Sequence, residues 1–371
     1  MKTLILSCTM GQGHNYAAKA VLEEFQQNNS ECLIMDAYAF MHKSISSAIE
    51  ITYNHTYSKR PAAFGRVYRA GGFVTSFKGH SPVYFANSLY ANNLEKYIRE
   101  NGYDTIVCTH LFPAEAITYL RRWRRLNIKS YAISTDYTCI PFWEEIDPDF
   151  FFVPRDLNLF QQSIKRGIPE EKMIQTGIPV LRKYNQKIPK DQAREMLNIP
   201  QNIPVYLLMT GGIGCGTPDI LTKDILMNEL SEDFRVIVMT GKSKTMLTNM
   251  KNLFDQDDRV ILVPFSDDVN IYMDACDVLL TKAGGLSSTE AAVKNVPLVH
   301  VYPVPGVETI NARFFEEHGM SIWAKSDQFA AEKAIALCRN IDAKEKMIAA
   351  QQKWINPHAA ADIYQFIQQH A

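Results

Sequence analysis

The feature that most constrains the fold is an alternation of continuous apolar runs with amphipathic stretches, which occurs twice along the chain. Runs that are apolar throughout are typical of strands buried on both faces of a parallel sheet. The amphipathic stretches between them are typical of covering helices, so the pattern predicts an α/β architecture in both halves. The predicted strands lie at 3–8, 31–36, 104–109, 130–135 and 150–153, and then at 205–209, 235–239, 259–263, 278–281 and 297–301.

The two sets of predicted strands are separated by GIPVLRKYNQKIPKDQ (177–192), which is rich in Pro and Lys and is typical of a linker. We therefore predict an N-terminal domain over 1–180 and a C-terminal domain over 181–353. The last segment, about 354–371, is predicted to form an amphipathic helix that packs back on the N-terminal domain.

The first predicted strand runs into a glycine turn, CTMGQGHNYAAKA (8–20). Gly11 and Gly13 are followed by His14 rather than by the spacing of a dinucleotide fingerprint, and no Gly-Lys-Ser/Thr completes a P-loop. The turn still presents backbone N–H groups, a helix start and one imidazole to a common space.

Other candidate residues follow the remaining strands, where open α/β sheets bind their ligands. His110 and Asp136 follow two strands of the first half. In the second half the strands are followed by TGGIGCG (210–216), by Thr240-Gly241 and by KAGGLSSTEA (282–291). In both halves, glycine loops follow the carboxyl ends of the predicted strands. We therefore predict a ligand cleft between the two domains.

Composition excludes several classes of protein. No run approaches the ~18 apolar residues of a membrane-spanning helix. The seven cysteines include no C-x-x-C pair, which favours a reducing compartment over a disulfide framework or a zinc site. Residues 1–130 carry a charge balance of +6 although the whole chain carries −1, which indicates a charged partner surface on the first half.

The stretch VLLTKAGGLSSTEAAVKNVPLVHVYPVPGVETINARFF (278–315) resembles the donor-binding region of GT-B glycosyltransferases. It is similar to the family of bacterial diacylglycerol glucosyltransferases and plant monogalactosyldiacylglycerol synthases, of the glycosyltransferase family 28 type. The first half agrees in the G-x-G-H turn, Thr109-His110, Thr135-Asp136-Tyr137 and Thr176-Gly177-Ile178-Pro179. The resemblance implies two Rossmann-like domains whose parallel sheets face a central cleft.

The family resemblance also implies a function, namely transfer of a hexose from a UDP-sugar to a lipid acceptor with inversion. Diacylglycerol is the expected acceptor and a glycolipid the expected product. No cofactor and no metal ion are expected, because glycine loops at helix N-termini can hold a diphosphate. The implied donor-binding residues are Gly211, Gly212, Gly214, Gly241, Lys282, Gly284, Gly285, Ser287, Glu290, Glu308 and Asn311.

Two residues are candidates for the catalytic base, and the sequence leaves the choice between them open. An imidazole can accept a proton near neutral pH, which suits His14. Asp136 could act alone or orient His14 as the second member of a dyad. Gly13, His110 and Trp143 are the candidate acceptor-binding residues.

A basic aromatic segment, YLRRWRRLNIK (119–129), is predicted to hold the protein on an anionic membrane face. It places Arg121, Arg122, Arg124 and Arg125 around Trp123. Residues 60–85 mix aromatic and basic side chains and are predicted to form a lipid-contacting flap. The expected location is cytoplasmic, peripherally associated with the cytoplasmic face of the membrane, with no nucleic-acid partner.

Two alternatives remain open because a fold does not determine a reaction. One keeps the transferase activity but moves N-acetylglucosamine from UDP-GlcNAc to an undecaprenyl-linked precursor. The other is a nucleotide-sugar epimerase or sensor on the same scaffold.

Overall fold

The computed structural model describes residues 1–8, 12–41, 47, 65–66 and 81–370. The chain divides into two compact units, the first formed by Met1–Arg182 with Asn356–Ala371 and the second by Lys183–Ile355. Gly11 and most of the predicted flap at 60–85 lie outside the described residues.

The first unit contains a six-stranded parallel sheet in the order β2-β1-β3-β4-β5-β6. Its strands are β1 (Thr3–Ser7), β2 (Cys32–Asp36), β3 (Thr105–Cys108), β4 (Lys129–Ile133), β5 (Phe150–Val153) and β6 (Met173–Gln175). Its helices are α1 (Gln12–Gln27), α2 (Pro82–Ser88), α3 (Ala91–Asn101), α4 (Leu111–Trp123), α5 (Leu157–Lys165) and the C-terminal helix (Ala359–His370), with 3₁₀ turns at Ala37–Phe40, Trp143–Glu145 and Glu170–Lys172.

Alternate residues of the strands enter two cores, one on each face of this sheet, as expected for the two-residue period of a strand. Leu4 and Ile106 point to the face covered by α3 and α4. Ile5 and Val107 point to the opposite face, where α1 and the C-terminal helix pack against each other. Both faces are therefore buried, which explains why the strands are apolar throughout.

The second unit repeats this architecture with the strand order β12-β11-β10-β7-β8-β9, again all parallel. Its strands are β7 (Val205–Met209), β8 (Arg235–Met239), β9 (Val260–Val263), β10 (Val278–Thr281), β11 (Leu298–His300) and β12 (Ile322–Trp323). The helices that follow α5 are α6 (Arg182–Asn185), α7 (Lys190–Met196), α8 (Pro218–Asn228), α9 (Lys244–Phe254), α10 (Val269–Ala275), α11 (Gly285–Val293), α12 (Val307–Glu317), α13 (Asp327–Arg339) and α14 (Ile341–Trp354).

Each sheet has a topological switch point, where the chain leaves two adjacent parallel strands in opposite directions. The switch lies between β1 and β3 in the first sheet and between β7 and β10 in the second. Such crevices at the carboxyl ends of strands are where open α/β sheets bind ligands. The fold thus indicates one candidate ligand site in each unit.

Candidate functional site

His14 lies at the switch point of the first unit, in the first turn of α1. Its ring Nδ1 lies 3.1 Å from the carbonyl oxygen of Thr109, which follows β3, and 2.8 Å from Oγ1 of Thr135, which follows β4. The Thr109 hydroxyl donates in turn to the His14 carbonyl at 3.1 Å. Residues that follow two strands, β3 and β4, therefore hold this half-buried imidazole in one orientation.

The Thr109 carbonyl favours one tautomer of His14. A carbonyl oxygen can only accept a hydrogen bond, so a bond to Thr109 requires the proton on Nδ1, and Thr135 Oγ1 then accepts from the same N–H group. The neutral ring then has its lone pair on Nε2. Burial lowers the pKa of His14 to about 4, which keeps the ring neutral at physiological pH although the Thr109 carbonyl favours the charged form. His14 Nε2 is therefore available as a proton acceptor.

His110 packs beside His14 with complementary hydrogen-bonding capacity. The two rings meet edge to face with centroids 4.4 Å apart. His110 caps α4, and its Nδ1 accepts the Phe112 N–H at 3.1 Å, so its proton lies on Nε2 when the ring is neutral. Burial and the nearby His14 hold the pKa of His110 well below its usual range. One imidazole thus offers a lone pair and the other an N–H group.

Gly13 and Asp136 are two other residues of the first unit that the sequence predicts for the site. Gly13 lies beside His14 in the first turn of α1, and Asp136 is half-buried just after Thr135. The Asp136 carbonyl accepts the Ser134 hydroxyl at 3.0 Å. The contacts of His14 Nδ1 are with Thr109 and Thr135 and not with Asp136. A dyad in which Asp136 orients His14 therefore stays a prediction.

Trp143 occupies a position typical of a core residue. Its side chain is buried with Phe151, with ring centroids 4.8 Å apart, in the core beneath α4. This packing is a structural role and gives no support to acceptor binding, which stays a prediction for this residue.

The arginines at the end of α4 form ion pairs that the sequence did not indicate. Three of the four arginines face acidic partners inside the unit, which neutralises part of the positive charge. The pairs are Arg121 with Asp149 (2.7 Å), Arg124 with Glu95 (3.1 Å) and Arg122 with Asp147 (4.0 Å). Trp123 is 63% exposed and Arg125 is also exposed.

Glycine loops surround Lys282 at the switch point of the second unit. Gly211 follows β7 with φ +76°, and a Cβ added there would lie 2.5 Å from Cε of Lys282. Gly241, with φ +59°, packs on the Gly211 carbonyl, where a side chain would clash. Only residues without a side chain allow this approach. The carbonyl group of Gly212 also lies beside Gly241, and Gly214 packs on Ser243.

Lys282 forms an ion pair with Glu308, and the two side chains are only 17% and 4% exposed. The other carboxylate oxygen of Glu308 accepts the Val304 N–H at 2.9 Å. Asn311, one turn further along α12, donates to the Ala283 carbonyl at 3.0 Å. These bonds tie the start of α12 to the loop after β10.

Gly284 caps α11 without a side-chain hydrogen bond, and Gly285 and Ser287 lie in the first turn of that helix. The open N-terminus presents backbone N–H groups and the positive end of the helix dipole beside Lys282. Glu290 lies in the second turn and is buried. Burial raises the pKa of its carboxyl to about 8, whereas a hydrogen bond from Tyr184 and the charge of Lys183 lower it.

Three residues that hydrogen-bond to these side chains, Thr135, Thr109 and Tyr184, and Lys183, whose charge acts on Glu290, were not assigned to a site from the sequence. The two threonines were visible as parts of Thr-His and Thr-Asp pairs at strand ends. Tyr184 and Lys183 lie in the predicted linker, where the sequence offered no signal for a site.

Two features of the described residues bear on the expected partners. Within residues 1–8, 12–41, 47, 65–66 and 81–370, no three His, Cys, Asp or Glu side chains form a group that could hold a metal ion. No described helix is long and apolar enough to cross a membrane. All seven cysteines are free thiols.

Family profiles match almost the whole chain. The profile described as monogalactosyldiacylglycerol (MGDG) synthase matches residues 14–180. The profile described as glycosyltransferase family 28 C-terminal domain matches residues 182–367, half of the chain.

Individual relatives and solved structures agree with the profiles. The chain is 24% identical over 366 residues to a protein of Bacillus cereus named processive diacylglycerol beta-glucosyltransferase, covering 98% of this chain and 92% of that protein. MurG of Acinetobacter baumannii is similar in structure, with a TM-score of 0.64, 15% identity and 99% of both chains covered. UDP-GlcNAc 2-epimerase of Neisseria meningitidis has a TM-score of 0.63, 14% identity and 100% of both chains covered.

At such low identity the two solved structures show the fold alone, which is the predicted pair of Rossmann-like units with parallel sheets. The family rests on the profile that matches half of the chain. Both the fold class and the resemblance predicted from the sequence are therefore confirmed, and the chain belongs to glycosyltransferase family 28.

Proposed function

We propose that this glycosyltransferase moves a hexose from a UDP-sugar to diacylglycerol, with inversion, to make a glycolipid. The observation that carries the proposal is the orientation of His14 at the first switch point, with its Nε2 lone pair available beside the Nε2–H of His110. The family profile that matches this unit and the name of the Bacillus cereus relative support diacylglycerol as the acceptor.

His14 is the catalytic base of the proposed mechanism. The acceptor hydroxyl oxygen attacks the anomeric carbon as its proton passes to His14 Nε2. The bond from the anomeric carbon to the phosphate oxygen breaks, and the diphosphate leaves with that electron pair. A single displacement inverts the anomeric centre. His110 orients the acceptor by donating from Nε2.

The second unit stabilises the leaving diphosphate in this proposal. The N–H groups at the start of α11 and the Gly211 and Gly241 loops donate to the phosphate oxygens. The Lys282 ammonium, which Glu308 holds in place, adds positive charge beside them. This arrangement requires no metal ion or cofactor.

The proposal includes attachment of the first unit to an anionic membrane at the cytoplasmic face. A lipid acceptor must be reached from a bilayer, and the exposed Trp123 beside Arg125 suits its headgroup layer. The neutralised arginines make this attachment weaker than four free charges would give.

The test is a transfer assay with UDP-glucose, UDP-galactose and UDP-GlcNAc, each with and without diacylglycerol vesicles. We expect glycolipid only when vesicles are present, one hexose donor to be preferred, and full activity in EDTA. Loss of activity in EDTA that Mg²⁺ or Mn²⁺ restores would contradict the metal-free mechanism.

Other results of this assay would identify the alternative functions. Transfer only from UDP-GlcNAc to an undecaprenyl-linked acceptor would replace diacylglycerol as the substrate. Interconverted sugar released without an acceptor would indicate an epimerase. Binding of UDP-sugar without turnover under any condition would indicate a sensor.

A further inference from the structure

A partly open cavity of about 230 Å³ lies in the second unit at the carboxyl ends of β11 and β12. Its walls are mainly apolar, with Val301 and Pro303 in the segment after β11, and Trp323 and Ala324 at the end of β12. Pockets that hold drug-sized ligands measure about 300–1,000 Å³ and are also mostly apolar with a few polar groups. The size of this cavity therefore suits a smaller ligand, such as a single sugar ring.

The polar groups of the cavity include one positive and one negative charge. The Lys325 ammonium lies over the Trp323 ring, 2.8 Å from its centroid. Asp327 accepts the Thr217 hydroxyl through Oδ2 at 2.8 Å, which uses one of the roughly four acceptor positions of a carboxylate. An ammonium donates and a carboxylate accepts, so the pair suits the hydroxyl groups of a neutral polyol. An anion or a cation would be repelled by one of the two groups.

Tyr302 connects the cavity to the glycine loop that follows β7. It lines the cavity, and its ring packs so closely on Gly216 that a Cβ added there would overlap the ring. The Tyr302 hydroxyl donates to the Thr217 carbonyl at 3.2 Å. The backbone of Tyr302 has φ +48°, a left-handed conformation that is uncommon for residues with a side chain and is retained mostly at functional sites. The cavity therefore adjoins one of the loops that hold the donor in the proposed function.

The start of α12 provides a second connection between the cavity and the donor loops. Pro303, in the cavity wall, precedes Val304, whose N–H group donates to Glu308 at 2.9 Å, and Glu308 pairs with Lys282. Neighbouring strands lie about 4.8 Å apart, so the cavity lies about 5 to 10 Å along the sheet edge from the loop after β10. A hexose that is attached to a diphosphate at that loop would reach the cavity.

We propose that this cavity binds the hexose of the donor, and that Lys325 and Asp327 determine which hexose is accepted by binding its hydroxyl groups. The inference rests on the proposed function, since it requires a UDP-sugar whose diphosphate lies at the start of α11. Glucose and galactose differ in the direction of one hydroxyl group. Because Trp323 and Thr217 hold the two charged groups in place, the wrong epimer would leave one of them without its partner.

The experiment measures binding of UDP, UDP-glucose and UDP-galactose by calorimetry in the full-length chain without an acceptor. We expect the unaltered protein to bind one UDP-hexose about tenfold more tightly than the other. Lys325→Gln and Asp327→Asn should each weaken binding of the preferred UDP-hexose about tenfold, since each removes a hydrogen bond to a charged group. Both variants should reduce the preference between the two sugars.

UDP is the internal reference for this experiment, because it lacks the hexose. Its affinity should stay the same in Lys325→Gln and in Asp327→Asn, which shows that both variants fold and hold the nucleotide. Asp327→Asn keeps an oxygen that can accept the Thr217 hydroxyl, so the contact with this neighbour persists.

Matched controls remove the same charges outside the cavity. Lys333→Gln alters another lysine of α13, which lies over the Phe329 ring at 4.9 Å from its centroid. Asp342→Asn alters an exposed aspartate in the first turn of the next helix, α14. Neither change should alter the affinity for UDP or for either UDP-hexose.

The outcomes separate this inference from the proposed function. An unchanged preference between the sugars in both cavity variants, or an equal loss of UDP and UDP-hexose binding, would overturn the inference alone if glycolipid synthesis persists. A preference that depends on Lys325 and Asp327 in a protein that transfers no sugar to diacylglycerol would support the cavity and overturn the proposed function. No UDP binding by the unaltered protein would overturn both.

Discussion

Gly211 and Lys282 pack so closely that a side chain at residue 211 would occupy the position of the lysine stem. An added Cβ would lie 2.5 Å from Lys282 Cε. The two residues follow β7 and β10, the strands that flank the second switch point. The backbone at Gly211 therefore determines where the Lys282 ammonium lies and how it meets Glu308.

Gly211→Ala should weaken UDP-sugar binding by about tenfold, because the new methyl group displaces Lys282 from its ion pair. The left-handed backbone, with φ +76°, should also cost about 1–2 kcal/mol of folding stability. Calorimetric titration and thermal unfolding measure the two effects. Gly102→Ala is the matched control, since Gly102 has φ +67° but nothing within 4 Å of an added Cβ. Equal donor affinity in the two variants would contradict the proposed placement of Lys282.

His14→Ala should lower kcat by roughly 10²- to 10⁴-fold, the range for loss of a general base. UDP binding should stay nearly unchanged, because the donor residues lie in the other unit. His358→Ala, an exposed histidine of the same unit, should leave kcat unaltered. If Asp136→Asn is far more damaging than His14→Ala, the base is Asp136.

The pH dependence of kcat reports the protonation of His14. Burial lowers its pKa to about 4, so the base stays neutral well below the usual titration range of histidine. At saturating UDP-sugar, kcat should therefore be level from pH 7 to about pH 5 and fall below that. An inflection near pH 6.5 would mean that His14 is solvated during turnover, or that another group is the base.

Folding stability should decrease in acid partly because of His300. This ring is fully buried between the Ser288 and Ser321 hydroxyls, and burial lowers its pKa to about 3. Below pH 6.5 the unfolded chain binds a proton at His300 that the folded chain excludes. The contribution of His300 to the free energy of unfolding is therefore fully present above pH 6.5 and is lost as the pH falls toward 3. The loss should approach about 1.4 kcal/mol per pH unit.

Urea unfolding at pH 7 and pH 5 measures this effect of His300. His300→Gln should reduce the difference in unfolding free energy between the two pH values, even if it lowers both. His358→Gln, with an exposed side chain, should leave the difference as it is in the unaltered protein. An unchanged difference in His300→Gln would show that other groups cause the acid sensitivity.

The sequence predicted the sheets well because buried parallel strands carry long apolar runs. All ten predicted strands exist, four of them with the predicted ends and six with an end shifted by one or two residues. Met173–Gln175 and Ile322–Trp323 were missed because edge strands of two or three residues carry no run that could be recognised.

Side-chain positions at strand ends were predictable, whereas partners from distant segments were not. His14 and Lys282 follow strands, and the rule for open sheets identifies such residues. The bond between Tyr184 and Glu290 joins segments about a hundred residues apart, which no local pattern encodes. The same holds for the acidic partners of the arginines on α4.

The segment at the end of α4 offers a matched test of membrane attachment. Trp123 is 63% exposed, and Phe85 and Leu89, from the neighbouring α2 and the turn that follows it, are 57% and 78% exposed. Apolar side chains beside arginines suit the headgroup layer of an anionic bilayer. We expect co-sedimentation with vesicles that contain anionic lipid, and a decrease as salt rises.

Two double variants that remove equal charge should differ in vesicle binding. Arg122→Gln with Arg125→Gln removes the exposed Arg125 and the arginine with the longest of the three ion pairs (4.0 Å). It should reduce binding more than Arg121→Gln with Arg124→Gln, whose arginines lie 2.7 and 3.1 Å from Asp149 and Glu95. Equal losses would mean that net charge, and not this surface, controls attachment. Equal binding of the unaltered protein to neutral and anionic vesicles would overturn the electrostatic contribution, and no binding to either would favour a soluble acceptor.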